Sequence, residues 1–60
     1  MISENDTRRI RDDAYIAHDA LESLMFAPNL SEAYIAEKIR TVENCVRFIK
    51  TFCGGINENN

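Results

Sequence analysis

The sequence predicts an all-α protein: an antiparallel two-helix hairpin that pairs with a second copy as a homodimeric four-helix bundle. Two stretches carry apolar residues at alternating spacings of three and four, which is typical of amphipathic helices. A Pro-Asn pair separates the two stretches. A chain of 60 residues forms one small domain of marginal stability, so association is an expected source of reinforcement.

The first predicted helix covers about residues 6–26. Polar residues from Ser3 to Asp6 offer several candidates for its N-cap, and no Gly or Pro interrupts the stretch up to Phe26. Its apolar seam follows spacings of four, three, four and three: Ile10, Ala14, Ala17, Leu21 and Leu24.

The second predicted helix covers about residues 31–53. Pro28 and Asn29 end the first helix, and Ser31 is a suitable N-cap for the second. Gly54 and Gly55 are expected to end it, so that residues 1–55 form the domain and residues 56–60 a disordered polar tail. The expected seam of this helix continues without a slip: Ile35, Ile39, Val42, Val46, Ile49 and Cys53.

A second apolar stripe runs along one flank of that seam, so the apolar arc approaches half the circumference of the helix. One partner helix cannot cover so wide an arc, which predicts a dimer or partner interface. We therefore expect a small non-enzymatic protein that regulates or inhibits another protein through a helical face. The residues predicted for the interface are Tyr34, Cys45, Phe48 and Phe52.

An alternative reading makes residues 31–50 a DNA-binding transcription regulator. The segment LSEAYIAEKIRTVENCVRFIKTF resembles a helix-turn-helix, in which residues 40–42 would bend and Asn44, Arg47 and Lys50 would reach nucleic acid. However, Arg40 stands where such turns usually need Gly, and Val42 stands where a polar cap is wanted. Whether residues 40–42 bend is left open by the sequence.

A second alternative is a helical bundle that binds structured RNA through basic side chains, similar in predicted shape to the small plasmid copy-control hairpin dimers. The formal net charge of −3 counts against both nucleic-acid readings, because phosphate contacts need a basic surface. We therefore expect the partners to be a second copy of the chain and another protein, with nucleic acid less favoured.

No residue pattern indicates catalysis, a cofactor or a metal. His18 has no nucleophile or orienting acid at a defined spacing, and Cys45 and Cys53 lie on apolar faces. One histidine and two cysteines fall short of a zinc set. With no long apolar run for a membrane span, we expect a cytoplasmic protein.

Overall fold

A computed structural model of the chain describes residues 2–53. It contains two α-helices, α1 from Glu4 to Phe26 and α2 from Glu32 to Lys50, and a short 3₁₀ turn at residues 51–53. The helices pack against each other along their length. The predicted all-helical hairpin is therefore confirmed. The expected cap at Gly54 and Gly55 and the tail at 56–60 lie outside the described residues.

Helix α1 begins at a capping box. The Ser3 hydroxyl accepts a hydrogen bond of 3.0 Å from the backbone N–H of Asp6, and the Asp6 carboxylate accepts one of 3.3 Å from the backbone N–H of Ser3. Two of the unpaired donors at the helix end are thereby satisfied. The acidic Glu4 and Asp6 also complement the positive end of the helix dipole. This cap explains why α1 starts two residues earlier than the apolar pattern predicted.

The connection between the helices follows from proline geometry. Ala27 precedes Pro28, which disfavours helical backbone at the residue before it, and Ala27 is accordingly extended with ψ 135°. The chain then reaches Ser31, whose hydroxyl accepts a 3.1 Å hydrogen bond from the backbone N–H of Tyr34. The N-cap of α2 is therefore the residue expected from the sequence.

Helix α2 is continuous through residues 40–42. The helix spans Glu32–Lys50 without a break, and the Thr41 hydroxyl donates to the carbonyl of Glu37 within it. Arg47 and Lys50 occupy the last turn, where positive charge is favourable beside the carbonyl end of the dipole.

The hairpin is one layer thick and has little core of its own. Two helices packed side by side form a single layer, with no further helix of the described residues on either broad side. Within residues 2–53 the most shielded apolar side chains are Ala20 and Cys45, which keep 5% and 7% of their surface exposed. Neither described helix is long and apolar enough to cross a membrane.

Candidate interaction surface

Three of the four residues predicted for a partner interface lie on the side of α2 and of the following 3₁₀ turn that packs on α1. Cys45 is buried, and Tyr34 and Phe52 are half-buried. The ammonium of Lys38 lies 5.2 Å from the centre of the Tyr34 ring, which keeps its charge close to an aromatic face. Contact of these residues with a partner stays a prediction, and their burial within the hairpin leaves them little surface for it.

Phe48, the fourth predicted residue, lies at the edge of the helix pair. Its ring packs edge-on against Phe52, with 5.4 Å between the centroids and an interplanar angle of 83°. The guanidinium of Arg9 on α1 lies 4.9 Å from the centroid of Phe48. Asp13 and Cys45 line the same shallow cleft. Phe48 is thus engaged within the hairpin by both a ring and a cation.

A different set of apolar residues is partly exposed. We call it the aliphatic face, and it consists of Leu21, Ile35, Ile39 and Val46, which are 45%, 37%, 39% and 44% exposed. The sequence pattern had placed these four on the seam between the helices. In the structure Ala20, and not Leu21, is the buried residue of α1, and a small side chain at that position allows close packing of the helices. The apolar arc of α2 is therefore turned by roughly a quarter of a revolution from its expected position.

All four side chains of the aliphatic face lie on one broad side of the hairpin. At about 100° per residue, Leu21 is about 100° round from Ala20, and Ile35, Ile39 and Val46 are roughly 80–120° round from Cys45 in the same sense. Seen from one end, antiparallel helices wind in opposite directions. Equal rotations away from their facing sides therefore lead to the same side of the pair.

The opposite broad side is mainly polar. By the same geometry it carries Ile16 and Phe48 among charged and amide side chains. The polar residues on this side are Arg9, Asp12, Asp19, Glu37 and Asn44.

The sequence signal for an uncovered apolar flank was the width of the apolar arc on α2. That width could not show which part of the arc α1 would cover.

The residues considered for nucleic-acid recognition all belong to one continuous helix. Asn44, Arg47 and Lys50 are exposed on α2, and the Asn44 side-chain oxygen accepts a 3.4 Å hydrogen bond from Arg47. A helix-turn-helix within residues 31–50 needs a bend between two helices, whereas α2 runs straight through that position. The local geometry therefore gives the DNA-binding interpretation no support.

The other chemically interesting residues are dispersed. His18 is exposed on α1, Cys45 is a buried free thiol, and Cys53 is a half-buried free thiol. Among residues 2–53, no group of three or more His, Cys, Asp or Glu side chains is placed to hold a metal ion. The aliphatic face is thus the most distinctive surface of the described part of the chain.

Comparison with known proteins assigns no family to this chain. No protein-family model, no curated protein sequence and no solved structure matches the chain.

Proposed function

We propose that this chain is a small non-enzymatic protein that works through protein–protein contacts as a homodimeric four-helix bundle and regulates another protein in the cytoplasm. The observation that carries the proposal is the aliphatic face, in which Leu21, Ile35, Ile39 and Val46 are exposed side by side. A contiguous apolar surface of this kind on a small protein marks an interaction site.

The small core supports self-association. A single-layer hairpin has no second layer against which to bury its apolar side, and stable domains are built from at least two packed layers. Ala20 and Cys45, both small, are the buried apolar side chains among residues 2–53, so the hairpin alone has only marginal stability. Stacking two hairpins through their aliphatic faces supplies the missing layer, as in four-helix bundles assembled from two chains.

A target protein would then meet the outer side of α1. Tyr15 and Phe26 are strongly exposed there, and at about 100° per residue they lie on the same side of the helix, with Asp19 and Glu22 near them. Exposed aromatic residues are frequent anchors of binding, and the acidic residues favour a target with a basic surface.

The oligomeric state and one matched pair of variants test this proposal. Sedimentation should give twice the chain mass of 6.9 kDa for the wild type. Ile39→Asp places a charge on the aliphatic face and should yield helical monomers. Ile16→Asp makes the same chemical change on the opposite broad side, at a similarly exposed position, and should leave the dimer intact.

Circular dichroism of both variants separates a loss of association from a loss of folding. A wild-type chain that is a folded monomer at tens of micromolar, or equal weakening by both substitutions, would contradict the proposal.

A further inference from the structure

We infer that the aliphatic face is covered by a second copy of this chain in one defined arrangement: α2 packs antiparallel on the partner's α2, about a twofold axis that runs across the helices. The inference rests on the proposed self-association and specifies its geometry. Three independent features of the described residues lead to it: the spacing of apolar residues on α2, the charges at its two ends and the sizes of the side chains on α1.

The apolar strip of α2 has a symmetric spacing. Ile35, Ile39, the half-buried Val42 and Val46 follow one another at intervals of four, three and four, so the strip reads the same from either end. A twofold interface requires a surface that is complementary to itself after reversal. Antiparallel packing therefore sets Ile35 against Val46 of the partner subunit and Ile39 against Val42 of the partner subunit.

Opposite charges lie at the two ends of this strip. Glu32 at the start of α2 and Lys50 at its end are exposed, and both lie about 140° round from Cys45, on the outer edge of the strip. Reversing one helix brings Glu32 beside Lys50 of the partner subunit, twice in each dimer. In a parallel arrangement Glu32 would face Glu32 and Lys50 would face Lys50, which is unfavourable.

The level of each residue along the hairpin follows from two contacts. Arg9 lies over Phe48, and Asp13 lines a cleft with Cys45. The two helices are antiparallel and have the same rise per residue. A step of one residue forward along α1 therefore corresponds to a step of one residue back along α2, and the level of each residue is known to within about one residue.

With this correspondence, α1 shares the twofold axis of α2. Ala14 and Leu21 are exposed and lie on the same broad side as the α2 strip. The midpoint between them is level with the midpoint of that strip. Rotation about one axis therefore places Leu21 of each copy against Ala14 of the partner subunit, a large side chain over a small one, which is favourable for close packing.

A twofold axis parallel to the helices explains these features less well. It would stack α1 of one copy on α2 of the other copy without reversing either helix. Leu21 would then be crowded against the isoleucines of the partner subunit's α2. Such an axis would also leave Glu32 and Lys50 about 27 Å apart, the length of 18 residues of helix, so that their charges would not interact across the interface.

Charge reversal tests the arrangement at exposed positions. In Glu32→Lys homodimers two lysines meet at each end of the interface, and in Lys50→Glu homodimers two glutamates meet there. We expect each homodimer to dissociate about tenfold more readily than the wild type at low ionic strength. An equimolar mixture of the two variants should form heterodimers within about threefold of wild-type affinity, because both cross-subunit pairs are restored.

The mixture also controls for effects within each helix. Both substitutions oppose the dipole of α2, and this penalty persists in the heterodimer, so recovery on mixing can come only from contacts between subunits. Mixing Glu37→Lys, whose site lies on the opposite broad side, with Lys50→Glu is the matched control: it restores only one of the two cross-subunit pairs, so its heterodimer should be weaker than that of Glu32→Lys with Lys50→Glu.

The outcomes distinguish the two proposals. A monomeric wild type would overturn both the proposed self-association and this geometry. A wild-type dimer without preferential heterodimer formation would overturn the antiparallel α2 arrangement alone.

Discussion

The guanidinium of Arg9 lies 4.9 Å from the centre of the Phe48 ring, joining the first turns of α1 to the last turns of α2. Because both residues are partly exposed to water, the attraction between cation and ring is modest, about 0.5–1 kcal/mol. We expect Arg9→Gln and Phe48→Leu to show a coupling of that size in a double-mutant cycle, measured by urea unfolding at one fixed protein concentration. A coupling energy of zero would mean that the two side chains only happen to be adjacent.

We expect Asp13 to weaken the hairpin in which it lies. One of its carboxylate oxygens, Oδ2, is buried and has no hydrogen-bond partner, and a buried polar atom without a partner costs about 1–3 kcal/mol. Asp13→Ala should therefore raise the free energy of unfolding by about 1 kcal/mol more than Asp12→Ala, which makes the same change at the exposed neighbouring position. Equal effects of the two substitutions in urea unfolding would show that Oδ2 carries no penalty.

Close packing at Ala20 limits the size of the side chain there. Ala20 is the buried residue of α1, and overpacking such a site typically costs about 1–3 kcal/mol. We expect Ala20→Leu to lower the free energy of unfolding by that amount, whereas Ala36→Leu on the exposed side of α2 should change it by less than about 0.5 kcal/mol. If thermal unfolding shows both variants to be equally stable, the helices do not meet at Ala20.

The N-cap of α2 provides a test of local structure. Ser31 accepts the backbone N–H of Tyr34, and replacing such a cap with Ala costs about 1 kcal/mol. Ser23→Ala is the control, because the Ser23 hydroxyl donates only to the Asp19 carbonyl inside α1 and alanine favours helix there. Ser31→Ala should reduce helicity and stability, and Ser23→Ala should not. The reverse order would contradict the assigned start of α2.

Local signals accounted well for the helices themselves. Pro28 and Ser31 determine where α1 ends and where α2 begins, and both act within a few residues of their own positions. The start of α1 was less accurate, because the box between Ser3 and Asp6 extends the helix beyond its apolar residues. The unbroken α2 resolves the question about residues 40–42 in favour of a continuous helix.

The orientation of α2 about its own axis was not predictable in the same way. The periodicity of the apolar residues identified two stripes and assigned the seam to α1 and the flanking stripe to a partner, whereas Cys45 of the flanking stripe is the buried residue of α2. The structure buries the small Ala20 and leaves the larger, more apolar Leu21 partly exposed. Steric fit between α1 and α2 determines which stripe of α2 faces α1. The pattern of hydrophobic residues along one helix does not contain information about that fit.

The width of the apolar arc on α2 has a consequence for conformational exchange. The expected and observed hairpins differ by a roll of α2 through about a quarter turn, and either roll buries an apolar stripe. The contacts that distinguish the observed orientation are few, chiefly Arg9 with Phe48 and the packing of Ala20 and Cys45. Rolling α2 would exchange its solvent-facing and helix-facing stripes, so whichever partner occupies the outer stripe also selects one rotational state of the molecule.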